Sequence, residues 1–431
     1  MVGSPSIENE LSELKRLGLV GERRQCAYAG EREIELRQTG VTEIVLDSQD
    51  VAQLQELHRR AAQWLDNWAG QPPPEHDAQL AHHYAAAGDL QRAAQKYLDS
   101  ANEALRGYAN REAWERFSVA AATAATAAAN AEQNEIWQRA LLGVAEVGTQ
   151  IGELQAAVDA ANLVIAHTTM TTTIHCRALC ARGDAEQMSG KYLDAVADFS
   201  EAYNVAMDGM HRSRDGISAA SRHAMVLFKI GRRDESRQIA EMTLARWKEE
   251  PRPVLARALG RLEIVLGHLD SQALSFESAL AHYAAAAKHF ERGEDRVGQA
   301  MAELSQSNVA YRNKQFESAE GHYRAVATRC RNIDYIHGAV MAETNLGNVL
   351  LDVGRAQDAL PVLKNAESTA RQTGVVTTLP ETLRLIAACH LALGDLVMAR
   401  LNARESAELA LASDNAPQRE AAEAMLASIG E

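Results

Sequence analysis

The sequence predicts an all-α fold: a tandem array of antiparallel helix pairs that winds into a right-handed superhelix, preceded by a small segment of mixed helix and strand. Three observations predict it. Apolar residues make up 46% of the 431-residue chain but aromatics only 5%, so alanine carries much of the burial. Alanine is the best helix former and lets helices approach closely. The nine prolines sit mostly where helices should start or stop, as at Pro72 to Pro74, Pro251, Pro253, Pro380 and Pro417. Finally, one local pattern recurs: a turn residue, usually Gly, then five positions later an Ala or Ser inside a new amphipathic stretch.

The turn positions are Gly152, Gly190, Gly231, Leu274, Lys314, Gly354 and Gly394, at intervals of 38, 41, 43, 40, 40 and 40 residues. The small partners are Ala157, Ala195, Ser236, Ala279, Ala319, Ala359 and Ala399, and Gly88 with Ala93 is an earlier, isolated example. A helix that ends on Gly uses the left-handed cap, which Gly adopts at least steric cost. An acid just after the turn, as in Gly88-Asp89 and Gly394-Asp395, favours the next helix's N-terminus. Four residues beyond the small position come larger packers: Tyr97, Phe199, Tyr283, Tyr323 and Leu363. Each unit is then a helix pair that cannot cover its apolar face alone, and stacking buries it.

The sharpest unit runs Leu346-Gly347-Asn348-Val349-Leu350-Leu351-Asp352-Val353-Gly354, followed by Asp358-Ala359-Leu360 and Ala366. It resembles the tetratricopeptide consensus, with Leu-Gly near the middle of the first helix, a turn Gly, and two alanines seven apart. Gly190-Lys191-Tyr192 through Ala195, Phe199 and Ala202 matches the second half of the same consensus. The usual period is about 34 residues, whereas this chain runs near 40. The helices of each pair must therefore be longer than the family standard, as in signalling-protein superhelices.

Residues 1–50 do not fit the repeat. Ile7–Leu17 reads as an amphipathic helix ending at Gly18, and alternations between Arg24 and Leu46, broken by Gly30 and Gly40, suggest a small hairpin. Val51–Trp68 reads as helix, Gly70 to Pro74 as linker, and Ala78–Ala87 as the restart of helix. The order Leu57 to Leu65, a Pro-rich linker, Leu80 to Asp89, Tyr97-Leu98 and Tyr108 to Ala113 resembles a junction in bacterial signalling ATPases of the STAND type. There a winged-helix segment joins the ATPase to a helical-repeat sensor. The resemblance implies a winged-helix-like segment at 1–50 and a helical junction with a divergent first repeat at 51–130, while the repeat pattern places tandem repeats at 131–415 and Pro417–Ile429 reads as a capping helix at 416–431. No GxxxxGK[ST] phosphate loop occurs, so the ATPase activity is not carried over.

Catalytic signatures are also missing: no GxSxG elbow, HExxH or GxGxxG. Acid-rich stretches such as Glu291 to Asp295 read as solvated helix ends. His82-His83 reads as one buried and one exposed face. His175, Cys176 and Cys180 read as buried groups on a packed helix, because no second ligand pair with zinc spacing follows. The expectation is no enzyme, no cofactor and no metal. A net charge of −14, from 58 acidic against 44 basic residues, argues against nucleic acid. No membrane anchor or signal peptide is visible, and five scattered cysteines argue against a disulfide framework, so the cytoplasm is expected.

What is left is binding. In tetratricopeptide arrays the first helix of each pair lines the concave groove. Counting back eleven residues from four of the small positions gives Asp184, His268, Asn308 and Asn348. Steps of eight, fifteen and eighteen stay on that face and add Tyr311, Arg384, Arg177 and Arg261. Guanidinium forks suit carboxylates and amides suit peptide backbone. The family resemblance adds that Asn308 and Asn348 stand where peptide-gripping asparagines stand. A protein- or peptide-binding scaffold is the first expectation. The second is a sensor arm that answers a small-molecule effector and switches an ATPase, cyclase or transcription regulator. Exposed repeat ends leave a homo-oligomer open.

Overall fold

The computed structural model describes residues 5–23, 26–37, 48–127, 135–168, 173–209, 214–247, 253–375, 377–412 and 416–429. Its contacts divide the chain into two compact units, Met1–Gly216 and Ile217–Glu431. Among the described residues, no helix is long and apolar enough to cross a membrane.

The first unit opens with α1 (Pro5–Arg16), then an antiparallel pair, β1 (Val20–Glu22) and β2 (Ile34–Leu36), with Val20 opposite Leu36. The hairpin thus begins earlier than the sequence suggested. Gly30 lies in its turn with φ +85° rather than inside a strand, while Gly40 and Leu46 fall outside the described residues. Tyr28, in the same turn, is buried edge-on against Trp64 and Trp68 with ring centroids 5.2 and 5.4 Å away. Its hydroxyl donates to Gln79 Oε1 at 3.0 Å and pins the segment to the first helices of the array. Those helices are α2 (Val51–Asp66), α3 (His76–Ala86), α4 (Leu90–Arg106), α5 (Asn110–Ala127), α6 (Glu135–Ile151), α7 (Leu154–His167), α8 (Thr173–Met188) and α9 (Tyr192–Gly209).

The second unit takes most of α10 (Arg214–Lys229), then α11 (Arg233–Trp247), α12 (Pro253–Gln272), α13 (Phe276–Arg292), α14 (Arg296–Arg312), α15 (Phe316–Asn332) and α16 (Ile336–Asp352). It ends with α17 (Ala356–Thr373), α18 (Leu379–Ala392), α19 (Leu396–Ala412) and α20 (Ala416–Ile429). Sequential helices pack on each other, and α12, α14, α16 and α18 also touch in series, forming one layer. Helices α13 to α16 are 17 residues each. Two such helices and two three-residue turns account for the long period.

Every turn residue read from the sequence has positive φ: Gly88, Gly152, Gly190, Gly231, Gly354 and Gly394 between 77° and 85°, and Leu274 and Lys314 at 60° and 58°. Tyr108, Glu294, Asp334 and Gly374 adopt the same conformation between pairs, at 61°, 51°, 56° and 74°. From residue 274 to 394 a left-handed residue therefore returns every 20 residues. Each is followed by the same capping bond, an N–H reaching the carbonyl five residues back. Ser275 to Asp270, Asp295 to Phe290, Gln315 to Ala310, Tyr335 to Cys330, Arg355 to Leu350, Val375 to Ala370 and Asp395 to His390 all span 2.8–2.9 Å. This is the Schellman closure that satisfies carbonyls at a helix end. Three acids after turns cap the next helix, Asp89 accepting from Arg92 N, Asp295 from Gly298 N and Asp395 from Met398 N.

The small residue five after each turn is fully buried in all eight cases, Ala93 through Ala399. Facing it on the preceding helix, seven residues before the turn, stands another small residue: Ala81, Ala145, Gly183, Ala224, Gly267, Ser307, Gly347 or Ala387. In six of the eight pairs this first-helix residue varies in size against the packer four residues beyond the second helix's small position, Ala81 with Tyr97 and Ser307 with Tyr323 being the exceptions. Gly183, Gly267 and Gly347 meet Phe199, Tyr283 and Leu363, so close that an added Cβ would come within 2.4–2.7 Å of those side chains. Where helix one carries Ala145, Ala224 or Ala387, the packer shrinks to Ala161, Ala240 or Ala403, all fully buried. Ser236 adds a bond, its hydroxyl donating to the Ala224 carbonyl at 2.7 Å.

Two stability outcomes follow from this geometry. Gly347→Ala should lower stability by about 1–3 kcal/mol, because the new methyl overlaps Leu363 in a packed core. Adding Leu363→Ala should recover part of that loss by recreating the Ala387–Ala403 arrangement; urea unfolding of both variants measures it. Conversely, Leu274→Gly removes a left-handed leucine whose side chain is 65% exposed. It should raise the melting temperature with a net gain of about 0.5 kcal/mol, strain relief being partly offset by glycine's freedom in the unfolded chain.

Candidate partner-binding clefts

The layer made by α12, α14 and α16 holds an open cleft of about 450 Å³. Four of the residues expected in the groove line it: His268 on α12, Asn308 and Tyr311 on α14, and Asn348 on α16. They come together because each sits on the same face of its helix, and the helices repeat in register. Asn308 Oδ1 accepts from the Tyr323 hydroxyl at 2.6 Å and from Asn345 Nδ2 at 3.1 Å. Asn348 Nδ2 donates to the Tyr311 hydroxyl at 2.9 Å, and that hydroxyl donates onward to Asp352 Oδ2 at 2.6 Å. His268 lies between the rings of Phe228 and Tyr283, 5.6 and 5.7 Å away, with Nε2 3.4 Å from Ser305 Oγ. A chain of polar contacts thus crosses three helices.

Burial fixes the protonation of this chain. The His268 imidazole is pushed down to about 4, so it is neutral at pH 7. Burial, reinforced by the bond to Asp352, pushes the Tyr311 phenol up to about 12. Burial likewise raises the Tyr283 and Tyr323 phenols, so all three remain hydroxyl donors. The bonds made by Asn308 and Asn348 leave the Asn308 amide N–H groups and the Asn345 and Asn348 carbonyl oxygens without a protein partner among the described residues. The cleft therefore presents amide donors and acceptors together, which is the pattern a peptide backbone requires.

The structure adds Phe228, Ser271, Gln272, Tyr283, Arg312, Tyr323 and Asn345 to the lining. Several had a usable signal. Ser271, Gln272 and Arg312 lie three or four residues, one helical turn, after His268 or Asn308, and Asn345 lies three before Asn348. Tyr283 and Tyr323 were read as packers, and they are, but each also reaches the cleft past the small residue it packs on. That double use is invisible to a count that assigns each position one role.

The other expected residues stand elsewhere. Arg384, on α18, does not line the cleft; it binds Glu381 through two contacts of 2.6 and 2.9 Å, and its charge bears on Tyr311 and Asp352. Arg261 is exposed on α12 and Asp184 half-buried on α8, and neither is among the residues lining the α12–α14–α16 cleft or the cleft that holds Arg177. Arg177 lines a separate cleft of about 270 Å³ in the first unit, with Leu98, Leu105, Phe117, Leu142 and Ile174 forming its apolar wall. There it binds Glu146 through contacts of 2.6 and 2.9 Å. Glu146 stands eleven residues before Ala157, the same register as Asn308, so extending the count would have found it.

Two other groups weighed from the sequence are packed in the helix layers. His82 is exposed and His83 half-buried, and His83 Nδ1 meets His58 Nδ1 of α2 at 2.9 Å, a partner that sequence spacing could not supply. His175, Cys176 and Cys180 are buried, Cys176 Sγ donating to the Ala202 carbonyl and His175 Nδ1 lying 3.0 Å from Thr168 Oγ1. Among the described residues, no group of three or more His, Cys, Asp or Glu is arranged to hold a metal.

No family model matches the chain, and no curated protein matches it in sequence. Solved structures match it in fold. A Rap protein complexed with competence and sporulation factor aligns at 15% identity over 78% of this chain and 97% of that one, with a TM-score of 0.53. A signal-transduction ATPase with numerous domains (STAND) from Pyrococcus horikoshii, bearing a tetratricopeptide repeat sensor, aligns at 13% identity with a TM-score of 0.53. That match covers 97% of this chain and 60% of the ATPase. The apo quorum sensor NprR from B. thuringiensis aligns at 11% identity over 78% of this chain and 98% of its own, with a TM-score of 0.50. At these identities the likeness is one of architecture. In fold, the chain is a tetratricopeptide-type helical repeat, similar to the sensor-bearing STAND protein along nearly its whole length.

Proposed function

We propose that the chain is a non-enzymatic scaffold that binds a peptide, or an extended segment of a protein, in the cleft across α12, α14 and α16. The observation that carries this reading is the amide-lined cleft itself, where Asn308, Asn345 and Asn348 offer unpartnered donors and acceptors beside three tyrosine hydroxyls. The Rap structure, which shares the fold, is a complex with competence and sporulation factor, and this supports the choice of partner class. A cytoplasmic setting suits the free cysteines, four of the five being buried thiols.

The match to the STAND protein favours a second reading, in which the array is the sensor arm of a regulator and a small-molecule effector occupies the cleft. Pull-down with mass spectrometry separates the two. Recovery of one polypeptide supports the scaffold; no polypeptide, but a thermal shift with a metabolite, supports the sensor arm.

Replacing Asn308 and Asn348 together by Ala should weaken partner binding at least tenfold, about 1.4 kcal/mol, with helicity by circular dichroism unchanged. Unaltered affinity would remove the cleft assignment. The neutral imidazole gives a pH signature as well. With its folded pKa at about 4 and its unfolded pKa near 6.5, His268 takes up a proton in the unfolded chain first as pH falls. Its contribution therefore lowers stability progressively from pH 6.5 toward 4. Urea unfolding at pH 7 and pH 5 should show a smaller loss for His268→Gln than for the native chain, with His83 and His223, also held at about 4, among the groups that keep part of the slope.

A further inference from the structure

The cleft has a charge character that the rest of the chain lacks. Acidic residues outnumber basic ones by 58 to 44, yet no carboxylate lines this cleft. The nearest acids are engaged elsewhere. Asp270, beside Ser271, is buried and held by Arg237, Ser278 and His282. Asp352 is occupied by the Tyr311 hydroxyl.

One cation does line it. Arg312 donates from Nη1 to Ser271 Oγ at 3.1 Å and makes no ion pair among the described residues. Its neighbours behave differently: Arg329, Arg331, Arg355 and Arg384 each bind a carboxylate of the chain. A guanidinium presents five N–H donors in a planar fork that matches a carboxylate in two-point contact. At Arg312, one of those donors is used on a hydroxyl and the fork remains open to the cleft.

Its position says what kind of carboxylate fits. Arg312 belongs to α14, the middle helix of the three. Ser271 and Gln272 flank it on the α12 side, and Asn345 and Asn348 on the α16 side. Polar groups able to bond a backbone thus continue on both sides of the guanidinium. A chain terminus would leave one side unused, whereas the side chain of an internal residue uses both.

We propose that Arg312 reads a carboxylate: the occupant of the cleft is an extended peptide segment whose internal Asp or Glu side chain seats on Arg312 while the asparagines bond its backbone. This rests on the peptide-binding reading and adds the occupant's charge to it. The test is selection of a randomised short-peptide library against the full chain, run with free and with amidated C-termini. The expected peptides share an acid at one position, survive amidation, and lose about tenfold in affinity against Arg312→Gln, the value of one charge-assisted contact. Arg312→Glu should shift the selection toward Lys or Arg. Peptides without an acid that bind Arg312→Gln equally well would overturn the assignment and leave the cleft standing. An acid preference abolished by amidation would also overturn it, since the anion would then be a chain terminus. No enrichment over the Asn308→Ala/Asn348→Ala variant would bring down the peptide-binding reading itself. Because Arg312 is exposed, circular dichroism should show both Arg312 variants folded.

Discussion

Two helices can approach closely only where one of them gives up side-chain volume, and the array is organised around that concession. Seven residues before each turn the first helix carries Gly, Ala or Ser, and in most pairs the second helix fills the space according to what was conceded. Gly267 admits the ring of Tyr283 and Gly347 admits Leu363, whereas Ala145 and Ala387 are met by alanines. In these pairs volume is conserved while the identities change, whereas Ala81 stands with the larger Tyr97. This is how repeats of low mutual similarity keep one interhelical distance, since packed interiors tolerate exchange far better than excess.

The turns hold that distance at a fixed angle. A left-handed residue every 20 positions, each closed by the same bond of 2.8–2.9 Å, leaves little freedom in how one helix follows another. Leu274, Lys314, Glu294 and Asp334 adopt this conformation although their side chains disfavour it. The neighbouring helices, once packed, over-determine the turn. Strain of this kind persists only where the surroundings insist on it. With distance and angle fixed, the first helices of successive pairs present the same face, and residues 40 positions apart, such as Asn308 and Asn348, become neighbours in space.

Much of this was legible in the sequence. The period, the turn positions, the buried small residues and four residues of the cleft follow from counting, because each is imposed by the repeat. The 20-residue turn spacing was not, because Tyr108, Glu294 and Asp334 carry no compositional sign of a left-handed residue; only Gly374 does. Arg261 shares α12 with His268 but does not line that cleft, because helical periodicity resolves a face but not the strip within it that a neighbouring helix leaves open. Counting reaches Glu381, three residues before Arg384 on the same helix, but not the pairing of Arg177 with Glu146 on another helix. Whether an arginine is spent inside the chain depends on which acid the stacking brings within reach.

The register position eleven before the small residue shows where geometry ends and chemistry begins. In the first unit it holds Asp184 and Glu146, the latter locked to Arg177 over an apolar wall. In the second it holds His268, Asn308 and Asn348, neutral groups with bonding capacity left over. The repeat delivers both sets to equivalent places, so the difference between the clefts lies in side chains the fold does not require. Tyr323 joins the two levels. Its ring is buried in the core, and its hydroxyl orients the Asn308 amide. The packing that stabilises the pair therefore also sets which edge of the amide faces the cleft, and an occupant meets a surface already arranged by the core.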